Sequence, residues 1–264
     1  MGLRPEDRTI IVFCAGFLVP QRILGLDYFR AVGEAFPHAL FPPVPPLAGI
    51  ASRASALADA IGDRLPPGPL HLVAHSMGGL DARFMLGHNL GGLAQPGRVV
   101  SLSTISTPHR GSPIADLLVG GAPGLLDSRR MAYEALQAVA AEVGLDVGAF
   151  GNLTTGFAEQ FNQDYPDLGH VRYLSYAGMA VESLPLQPFH DYIQDRAPPK
   201  QRGANDGLVT VNSAMWDEFP EPPWATDHFG EIGHRIDLGL SPLTFDHVAA
   251  LRRVLARVGA DGGA

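Results

Sequence analysis

The residue whose surroundings most restrict the fold of this chain is Ser76. It lies between an apolar segment typical of a strand and a segment typical of a helix that begins with small residues. Residues 69–75 form a largely apolar run that begins after Gly and with Pro, which predicts a buried strand, and the residues from Met77 onward predict a helix. Ala74 and Gly78 lie two residues before and two residues after Ser76, where a tight turn leaves no room for bulky side chains. The pattern predicts a nucleophile elbow, in which a sharp strand-to-helix turn exposes a serine hydroxyl.

Apolar runs of strand length alternate with segments of helical periodicity along most of the chain. This alternation predicts the α/β class, with a mostly parallel central sheet covered by helices on both faces. With 264 residues, of which 46% are hydrophobic, the chain suits a single domain over residues 1–264. The predicted strands are 9–14, 39–41, 69–75, 98–105 and 171–177, and the helices predicted around the sheet are 27–36, 50–65, the helix from Met77, and 242–258.

Residues 114–161 differ from the rest of the chain, because helical segments broken by Gly follow one another there without a strand. Helices are predicted at 114–119, 129–142 and 157–162. Large exposed apolar surfaces usually mark binding sites, so we expect these helices to form a cap over a binding pocket and at least one of them to be mobile. The alternative is a helical layer that only covers the sheet. The apolar side chains concerned are Leu117, Leu118, Val119, Leu125, Leu126, Leu136, Val139 and Val143.

Composition excludes several classes of partner. The formal net charge is −8 and no basic stripe is present, which argues against a nucleic-acid partner. No apolar run approaches the roughly 18 residues of a membrane-spanning helix, and Cys14 is the single cysteine, so no internal disulfide is expected. Residues 1–8 do not resemble a signal peptide, which predicts a cytoplasmic protein as the sequence stands and a secreted one if a signal precedes it. The oligomeric state is left open.

A serine nucleophile needs a base, and the base needs an orienting carboxylate. Asp206 lies in a turn-rich Asn-Asp-Gly segment, and His228 lies in a loop before the last predicted helix. Loops that follow the strands of an open α/β sheet gather at one edge, so we expect Ser76, His228 and Asp206 to meet there as nucleophile, base and orienting acid. The alternatives are His234 and His247 for the base, and Asp237 and Asp246 for the acid.

The remaining polar residues near these motifs have structural explanations. We expect His75 to pack or join a polar network, Asp81 and Arg83 to stabilise the helix after Ser76, and His109 to hydrogen-bond the loop backbone. No group of His, Cys, Asp and Glu has metal-ligand spacing, and no Gly-rich loop has the pattern that binds phosphate. Neither a metal nor a cofactor is therefore expected from the residues alone.

Five segments in chain order carry a resemblance to a known family: 23–29, 107–116, 161–166, 205–209 and 227–231. Over most of its length the chain resembles the bacterial true lipases, which are secreted triacylglycerol lipases of the α/β-hydrolase superfamily. The resemblance implies the α/β-hydrolase fold with a helical lid, and it gives the catalytic roles to Ser76, Asp206 and His228.

The resemblance also implies an oxyanion hole made of two backbone N–H groups, those of Phe17 and Met77. The family often has His before Gly in this loop, where the present chain has Ala15 before Gly16. Because the donors belong to the backbone, such a side-chain change should cost little.

The family binds a structural calcium ion, and here the chain departs from it. Gly230 stands where the family has one Asp ligand, and the other ligand position aligns near Gln187. Calcium takes about six to eight oxygen ligands with carboxylates among them, so we expect no calcium requirement. In the family, the calcium ion holds the loop that bears the catalytic His. Here we expect His234 to hold that loop by bonding Asp191 or Asp195. The alternative is that these two aspartates still form a calcium site.

These features predict a serine carboxylic-ester hydrolase, a lipase or esterase that forms an acyl-enzyme on acyl esters such as acylglycerols, including esters at a lipid–water interface. One alternative is the same machinery used on polyesters, thioesters or amides, or as an acyltransferase, because the fold does not fix the acyl acceptor. Another is a non-catalytic binding protein on this fold.

Overall fold

The structure is a computed structural model, and it describes residues 9–17, 22–23, 26–62, 68–120, 147–180, 186–234 and 245–260. The strands are β1 Ile10–Cys14, β2 Arg22–Ile23, β3 Leu26–Asp27, β4 Leu70–His75, β5 Val99–Ile105 and β6 Arg172–Tyr176. The helices are α1 Val32–Ala35, α2 Ile50–Gly62, α3 Met77–Gly87, α4 Pro113–Gly120, α5 Val147–Gly151, α6 Thr155–Asp164, α7 Gln187–Asp191, α8 Val211–Ala214 and α9 His247–Arg257. Short 3₁₀ turns lie at Leu90–Gly92, Pro199–Gln201 and Gly230–Ile232, and a π-helical turn lies at Tyr192–Arg196.

A parallel sheet in the order β1-β4-β5-β6 forms the centre of the molecule. Every residue of β4 is buried, as expected for a strand covered on both faces. The register pairs Cys14 with Ala74, His75 with Ile105, and Ile105 with Tyr176. The carboxyl ends of the four strands therefore meet at one edge, which is where open α/β sheets build their sites.

Apolar clusters cover both faces of the sheet, as the sequence predicts. On one face the strand residues pack against α1 and α9, and on the other they pack against α2 and α3. Burying such a side chain contributes about 1.5–3 kcal/mol. Central members of the first cluster are Phe13, Val73, Ile105, Leu251 and Val254, and those of the second are Val12, Leu72, Leu102, Leu57, Ile61 and Met85.

The segment 27–36 does not form the single helix that its sequence predicts. Leu26–Asp27 is a strand, and the helix is only the four residues Val32–Ala35. The carbonyls of Asp27, Tyr28 and Arg30 accept hydrogen bonds from the side chains of His234 and His247, far along the chain. These carbonyls are therefore not used in a helix. Residues 39–41 form one isolated bridge, from Leu40 to Val12, rather than a strand.

Part of the predicted lid lies within the described residues. Helix α4 contacts α5, which the sequence did not predict, and α6. The Asp116 carboxylate of α4 accepts hydrogen bonds from the N–H and the hydroxyl of Thr155, at 2.8 and 2.7 Å. The helix predicted at 129–142 lies outside the described residues, as do Leu125, Leu126, Leu136, Val139 and Val143. Within the described part of the chain, no helix is long and apolar enough to span a bilayer.

Candidate active site

Ser76 lies at the sharp turn between β4 and α3. Its backbone has φ 55° and ψ −133°, a conformation that L-residues rarely adopt and that is typically held by its surroundings. Thr107 donates a hydrogen bond to the Ser76 carbonyl at 2.8 Å. A Cβ at Gly78 would lie 2.6 Å from the Cys14 carbonyl oxygen and 2.7 Å from that of Ala15, so only glycine fits there. The small residues of the predicted elbow are thus explained by the approach of β1.

The structure brings Ser76, His228 and Asp206 together. His228 Nε2 lies 3.0 Å from Ser76 Oγ, and its Nδ1 lies 2.7 Å from Asp206 Oδ2. His228 is 4% exposed and Asp206 is fully buried. Because Nδ1–H donates to the carboxylate, Nε2 is free to accept a proton from the serine hydroxyl. This is the arrangement of an acid, an imidazole and a hydroxyl that activates a serine.

The turn 205–210 fixes the carboxylate of Asp206. The second oxygen, Oδ1, accepts the N–H groups of Leu208 and Val209 at 2.8 and 2.7 Å. Asn205 accepts the N–H of Gly207 at 2.9 Å, and the His228 N–H donates to the Asp206 carbonyl at 3.0 Å. Both oxygens of the Asp206 side chain are therefore engaged by donors. The loop thus presents the carboxyl group to the imidazole in one orientation.

The loop that carries His228 is held without the contact we predicted for His234. Asp227 Oδ1 accepts the N–H groups of Phe229 and Gly230 at 3.1 and 2.7 Å. His234 Nε2 donates to the backbone carbonyls of Asp27 and Tyr28 at 3.0 and 2.9 Å. The prediction that His234 bonds Asp191 or Asp195 is therefore wrong, because the nearest acceptors are carbonyls of the segment before α1.

The two predicted oxyanion donors lie close to the serine, since Met77 follows it in the chain and Phe17 lines the same cavity. Phe17 follows β1, and Met77 is the first residue of α3, whose N-terminus carries partial positive charge. Within the described part of the chain, neither backbone N–H donates to an acceptor. We therefore expect both N–H groups to bind an oxygen held beside Ser76.

Arg53 stabilises the loop that follows β1, because it bonds the carbonyls of Ala15 and Gly16. This role was not predicted from the sequence. The Arg53 side chain is fully buried and bonds Asp81 Oδ2 at 2.8 Å. It also donates to the carbonyls of Ala15, Gly16 and Pro45, at 2.7, 3.0 and 3.0 Å. Burial raises the pKa of Asp81 to about 6, and Arg53 opposes that shift. The available signal was the position of an arginine on the apolar face of α2, between Ile50 and Leu57.

A second buried network lies beside the imidazole of His228. The ring of His75 is 4.5 Å from that of His228, measured between centroids. His75 bonds Tyr28 Oη at 2.7 Å and Glu231 Oε2 at 3.1 Å, and Ser106 Oγ donates to Glu231 Oε1 at 2.6 Å. His75 thus lies in a polar network, as predicted, whereas the parts of Tyr28, Ser106 and Glu231 were not foreseen.

Burial favours the neutral forms in this network. It lowers the pKa of His75 well below the ordinary value, with the nearby His228 acting in the same direction. It raises the pKa of Glu231 well above the ordinary value, and the negative charge of Asp206 adds to this. His75 and Glu231 are therefore best described as a hydrogen-bonded neutral pair rather than an ion pair.

One ring nitrogen each of His75 and His228 and one carboxyl oxygen of Glu231 lie within 4.8 Å of one another. Their hydrogen bonds explain why these three side chains lie together, so the cluster carries no argument for a metal site.

The other candidates from the sequence lie away from this constellation. Asp246 caps α9 through the N–H of Ala249, and His247 bonds the carbonyl of Arg30. His109 bonds the hydroxyl of Thr104 at 3.0 Å and stacks on Trp216, so its side chain does not bond the loop backbone as we predicted. The guanidinium of Arg83 lies over the same Trp216 ring, and Arg83 bonds Asn162 and the Tyr165 carbonyl. Asp237 lies outside the described residues.

An apolar cavity of about 200 Å³ opens beside Ser76 and His228. Among the described residues that line it, there is no Lys, Arg, Asp or Glu. Phe17 meets Phe150 edge-to-face across it, with ring centroids 5.0 Å apart. The cavity can therefore hold an uncharged, apolar group next to the serine hydroxyl. Its apolar walls include Ile114, Leu118, Phe150, Leu153, Leu186 and Leu208.

We expect thermal stability to be independent of calcium. A side chain at Gly230 would collide with the hydroxyl of Thr226, and Gln187 donates its amide to Asp191 at 2.7 Å. Asp227 and His234 already hold the loop. Treatment with EDTA is expected to leave the melting temperature unchanged. A fall of several degrees that added calcium reverses would contradict this prediction.

No protein-family model matches the chain. Triacylglycerol lipase 2 of Saccharomyces cerevisiae is 34% identical over 167 residues, which are 62% of this chain and 45% of the yeast protein. A triacylglycerol lipase of Vibrio cholerae is 27% identical over 186 residues, 62% of this chain and 57% of that protein. The chain thus spans about half the length of the curated relatives it matches.

Comparison with solved structures decides the fold. The Staphylococcus hyicus lipase superposes with a TM-score of 0.71 at 17% identity, covering 96% of this chain and 95% of that one. The chain has an α/β-hydrolase fold. The resemblance to triacylglycerol lipases that the motifs indicated is also confirmed. The side chains that meet follow the order Ser76, Asp206, His228 along the chain, which is the order typical of this fold.

Proposed function

We propose that this α/β-hydrolase cleaves carboxylic esters through an acyl-enzyme on Ser76. The observation that carries the proposal is the hydroxyl of Ser76 at 3.0 Å from His228, which is bonded to Asp206 at 2.7 Å beside an apolar cavity. The similarity to proteins named triacylglycerol lipase supports the same chemistry. We assign the catalytic roles to these three side chains.

Acylation begins when Ser76 Oγ attacks the ester carbonyl carbon and transfers its proton to His228 Nε2. The buried carboxylate of Asp206 stabilises the imidazolium that forms. When the tetrahedral intermediate collapses, the bond to the alcohol oxygen breaks and His228 returns its proton to that oxygen. The alcohol leaves, and the acyl group stays on Ser76 as an ester.

Deacylation repeats these steps with water. His228 Nε2 accepts a proton from water, whose oxygen attacks the acyl carbon. Collapse of the second tetrahedral intermediate breaks the bond to Ser76 Oγ, which takes the proton back from His228. In both halves the negative oxygen would be held by the N–H groups of Phe17 and Met77, and the N-terminus of α3 favours that charge.

The cavity supports a substrate class. Its apolar walls favour an uncharged acyl chain, because a buried charge without a partner is costly. Each methylene buried there contributes about 0.8 kcal/mol, equivalent to about fourfold in kcat/KM. We therefore expect kcat/KM to rise from acetyl to longer acyl esters until the cavity is filled.

Two measurements test the function. A fluorophosphonate probe is expected to label the wild-type protein on Ser76 and to leave Ser76→Ala unlabelled. Turnover of p-nitrophenyl esters from acetyl to palmitoyl, with emulsified triglyceride alongside, then places the enzyme among esterases and lipases. Absence of both labelling and turnover in a folded protein would refute the proposal and favour a binding protein.

The lid remains a prediction that hydrogen exchange can test. Helices α4, α5 and α6 contribute Leu118 and Phe150 to the cavity or pack behind it. We expect amides in residues 114–161 to exchange faster than those of β4 and β5, and detergent to change their rates by offering an apolar surface. Exchange as slow as in the strands, with and without detergent, would exclude a moving lid.

A further inference from the structure

A chain of hydrogen bonds runs through the buried core beside the proposed catalytic groups without including any of them. It begins at the N–H of Gly178, which donates to Ser106 Oγ at 3.1 Å, and continues to Glu231 at 2.6 Å. From Glu231 it passes to His75 at 3.1 Å and ends at Tyr28 Oη at 2.7 Å. These four side chains are at most 3% exposed. Burying polar side chains costs free energy unless they are hydrogen-bonded, and a fully bonded network makes its surroundings rigid. Such a network can therefore hold a neighbouring part of the site in place.

The last member of the chain lies against the loop that bears one oxyanion donor. A Cβ at Gly16 would lie 2.5 Å from Tyr28 Oη and 2.7 Å from Ser76 Cβ. The tyrosine hydroxyl and the serine therefore both lie against Gly16, where no side chain would fit. Arg53 donates a hydrogen bond to the carbonyl of Gly16 at 3.0 Å. The position of Tyr28 Oη thus helps to determine where the next N–H, that of Phe17, points.

We propose that Glu231 is a positioning residue that, through His75 and Tyr28, fixes the loop 15–17 beside Ser76. This inference rests on the proposed function, because the loop matters for catalysis only if its N–H binds an oxyanion. Misplacing such a group by about 1 Å can cost up to about 100-fold in rate. His75, the residue before the serine, would then transmit the position of Glu231 to Tyr28 without contacting substrate.

A protonated Glu231 gives every hydrogen bond from Ser106 to Tyr28 one donor and one acceptor. Its O–H donates to His75 Nε2, the Nδ1–H of His75 donates to Tyr28 Oη, and Ser106 donates to the other carboxyl oxygen. The titratable groups that face His75 and Glu231 are Asp206, Asp227, His228 and His234, while Arg53 and Asp81 face Tyr28. None of the groups that face Glu231 is a fixed cation, so an ionised Glu231 would add a second negative charge beside Asp206. A neutral Glu231 leaves His228 with a single carboxylate partner.

Three variants separate positioning from charge and from general stability. Tyr28→Phe removes only the hydroxyl, and we expect kcat to fall about tenfold or more with little change in KM. Glu231→Gln keeps a neutral hydrogen-bonding group, so kcat should stay within about threefold of wild type and the acid limb of the pH–rate profile should not move. Glu231→Leu removes the chain of hydrogen bonds and should lower kcat at least as much as Tyr28→Phe. Tyr165→Phe is the matched control, because Tyr165 Oη bonds His88 at the surface at 2.9 Å.

Each result bears on the inference. The inference would be overturned if folded Tyr28→Phe kept the kcat of wild type or changed only in KM. It would also be overturned if Tyr165→Phe lost as much kcat as Tyr28→Phe. An acid limb shifted by about one pH unit in Glu231→Gln would also overturn it, by revealing a charged Glu231. If Glu231→Leu does not fold, Tyr28→Phe still decides. Wild-type protein without turnover or phosphonate labelling would refute the proposed function itself, and the positioning role with it.

Discussion

Replacing Ser76 by Ala is expected to lower kcat for ester hydrolysis by about 10⁶, and replacing His228 by Ala by a similar factor, because each removes a partner in one proton transfer. Asp206→Asn should cost about 10⁴, since the amide donates where the carboxylate accepts and leaves the imidazole in the wrong tautomer. The three side chains act together, so the losses should not add. Steady-state kinetics on a p-nitrophenyl ester measures all three variants.

His234 and His247 provide the controls for the base. Both bond backbone carbonyls of the segment before α1, so their replacement by Ala should affect stability more than chemistry. If His228→Ala keeps a rate near that of wild type while one of these variants loses it, the base has been assigned to the wrong histidine. Circular dichroism on every variant separates lost chemistry from lost structure.

Arg53→Met is expected to give the largest loss of stability among single changes away from the proposed catalytic groups. The arginine is fully buried and bonds Asp81 and the carbonyls of Ala15 and Gly16. Removing one partner of a buried ion pair costs about 3–5 kcal/mol, because the other charge stays buried without compensation. Urea unfolding measures the loss, and the loop beside Ser76 should lose its support as well.

The pH dependence of this loss has a definite sign. In the folded wild type the pKa of Asp81 is raised from 3.8 to about 6, so the folded state binds this proton more tightly than the unfolded state. Such a group favours folding below the unfolded pKa and loses that contribution as pH rises through the folded pKa. Without Arg53 the folded pKa rises further. The destabilisation of Arg53→Met should therefore be smaller at acid pH than at neutral pH.

Two further variants control the result. Arg253→Met removes an arginine that is 52% exposed and bonds Glu221 at 3.2 Å, and a surface pair is worth only about 0–1 kcal/mol. The double variant Arg53→Met/Asp81→Asn should recover part of the loss, because no charge is left buried. Equal losses in Arg53→Met and Arg253→Met would contradict the importance of the buried pair.

The parts of the site that the sequence could predict are those that a short segment determines. The elbow at Ser76 needs small neighbours within two residues, and the turn at Asp206 needs Asn and Gly beside it, so both are visible in the sequence. The order of the three groups along the chain fits His228 but also His234 and His247, and only the resemblance of residues 227–231 to a family motif singled out His228. The four strands of the sheet were also predicted, because each is a short, mostly buried segment rich in apolar residues, whereas the strand predicted at 39–41 is a single bridge.

The supports of the site could not be predicted, because they join residues far apart in the chain. Arg53 reaches the loop at Ala15 and Gly16 from the apolar face of α2, and Glu231 reaches His75 across 156 positions. The helix predicted at 27–36 failed for the same reason, since His234 and His247 take carbonyls that a helix would need. The pattern of a short segment does not show which distant residues will hydrogen-bond to it in the folded protein.

The most direct test of the account is to find the acyl group on Ser76. The protein is mixed with excess p-nitrophenyl butyrate, quenched in acid within the first turnover, digested and analysed by mass spectrometry. The account predicts a butyryl mass on the peptide that contains Ser76, a matching burst of p-nitrophenol, and neither in Ser76→Ala. Turnover that persists in Ser76→Ala, or an acyl group found on another residue, would contradict it.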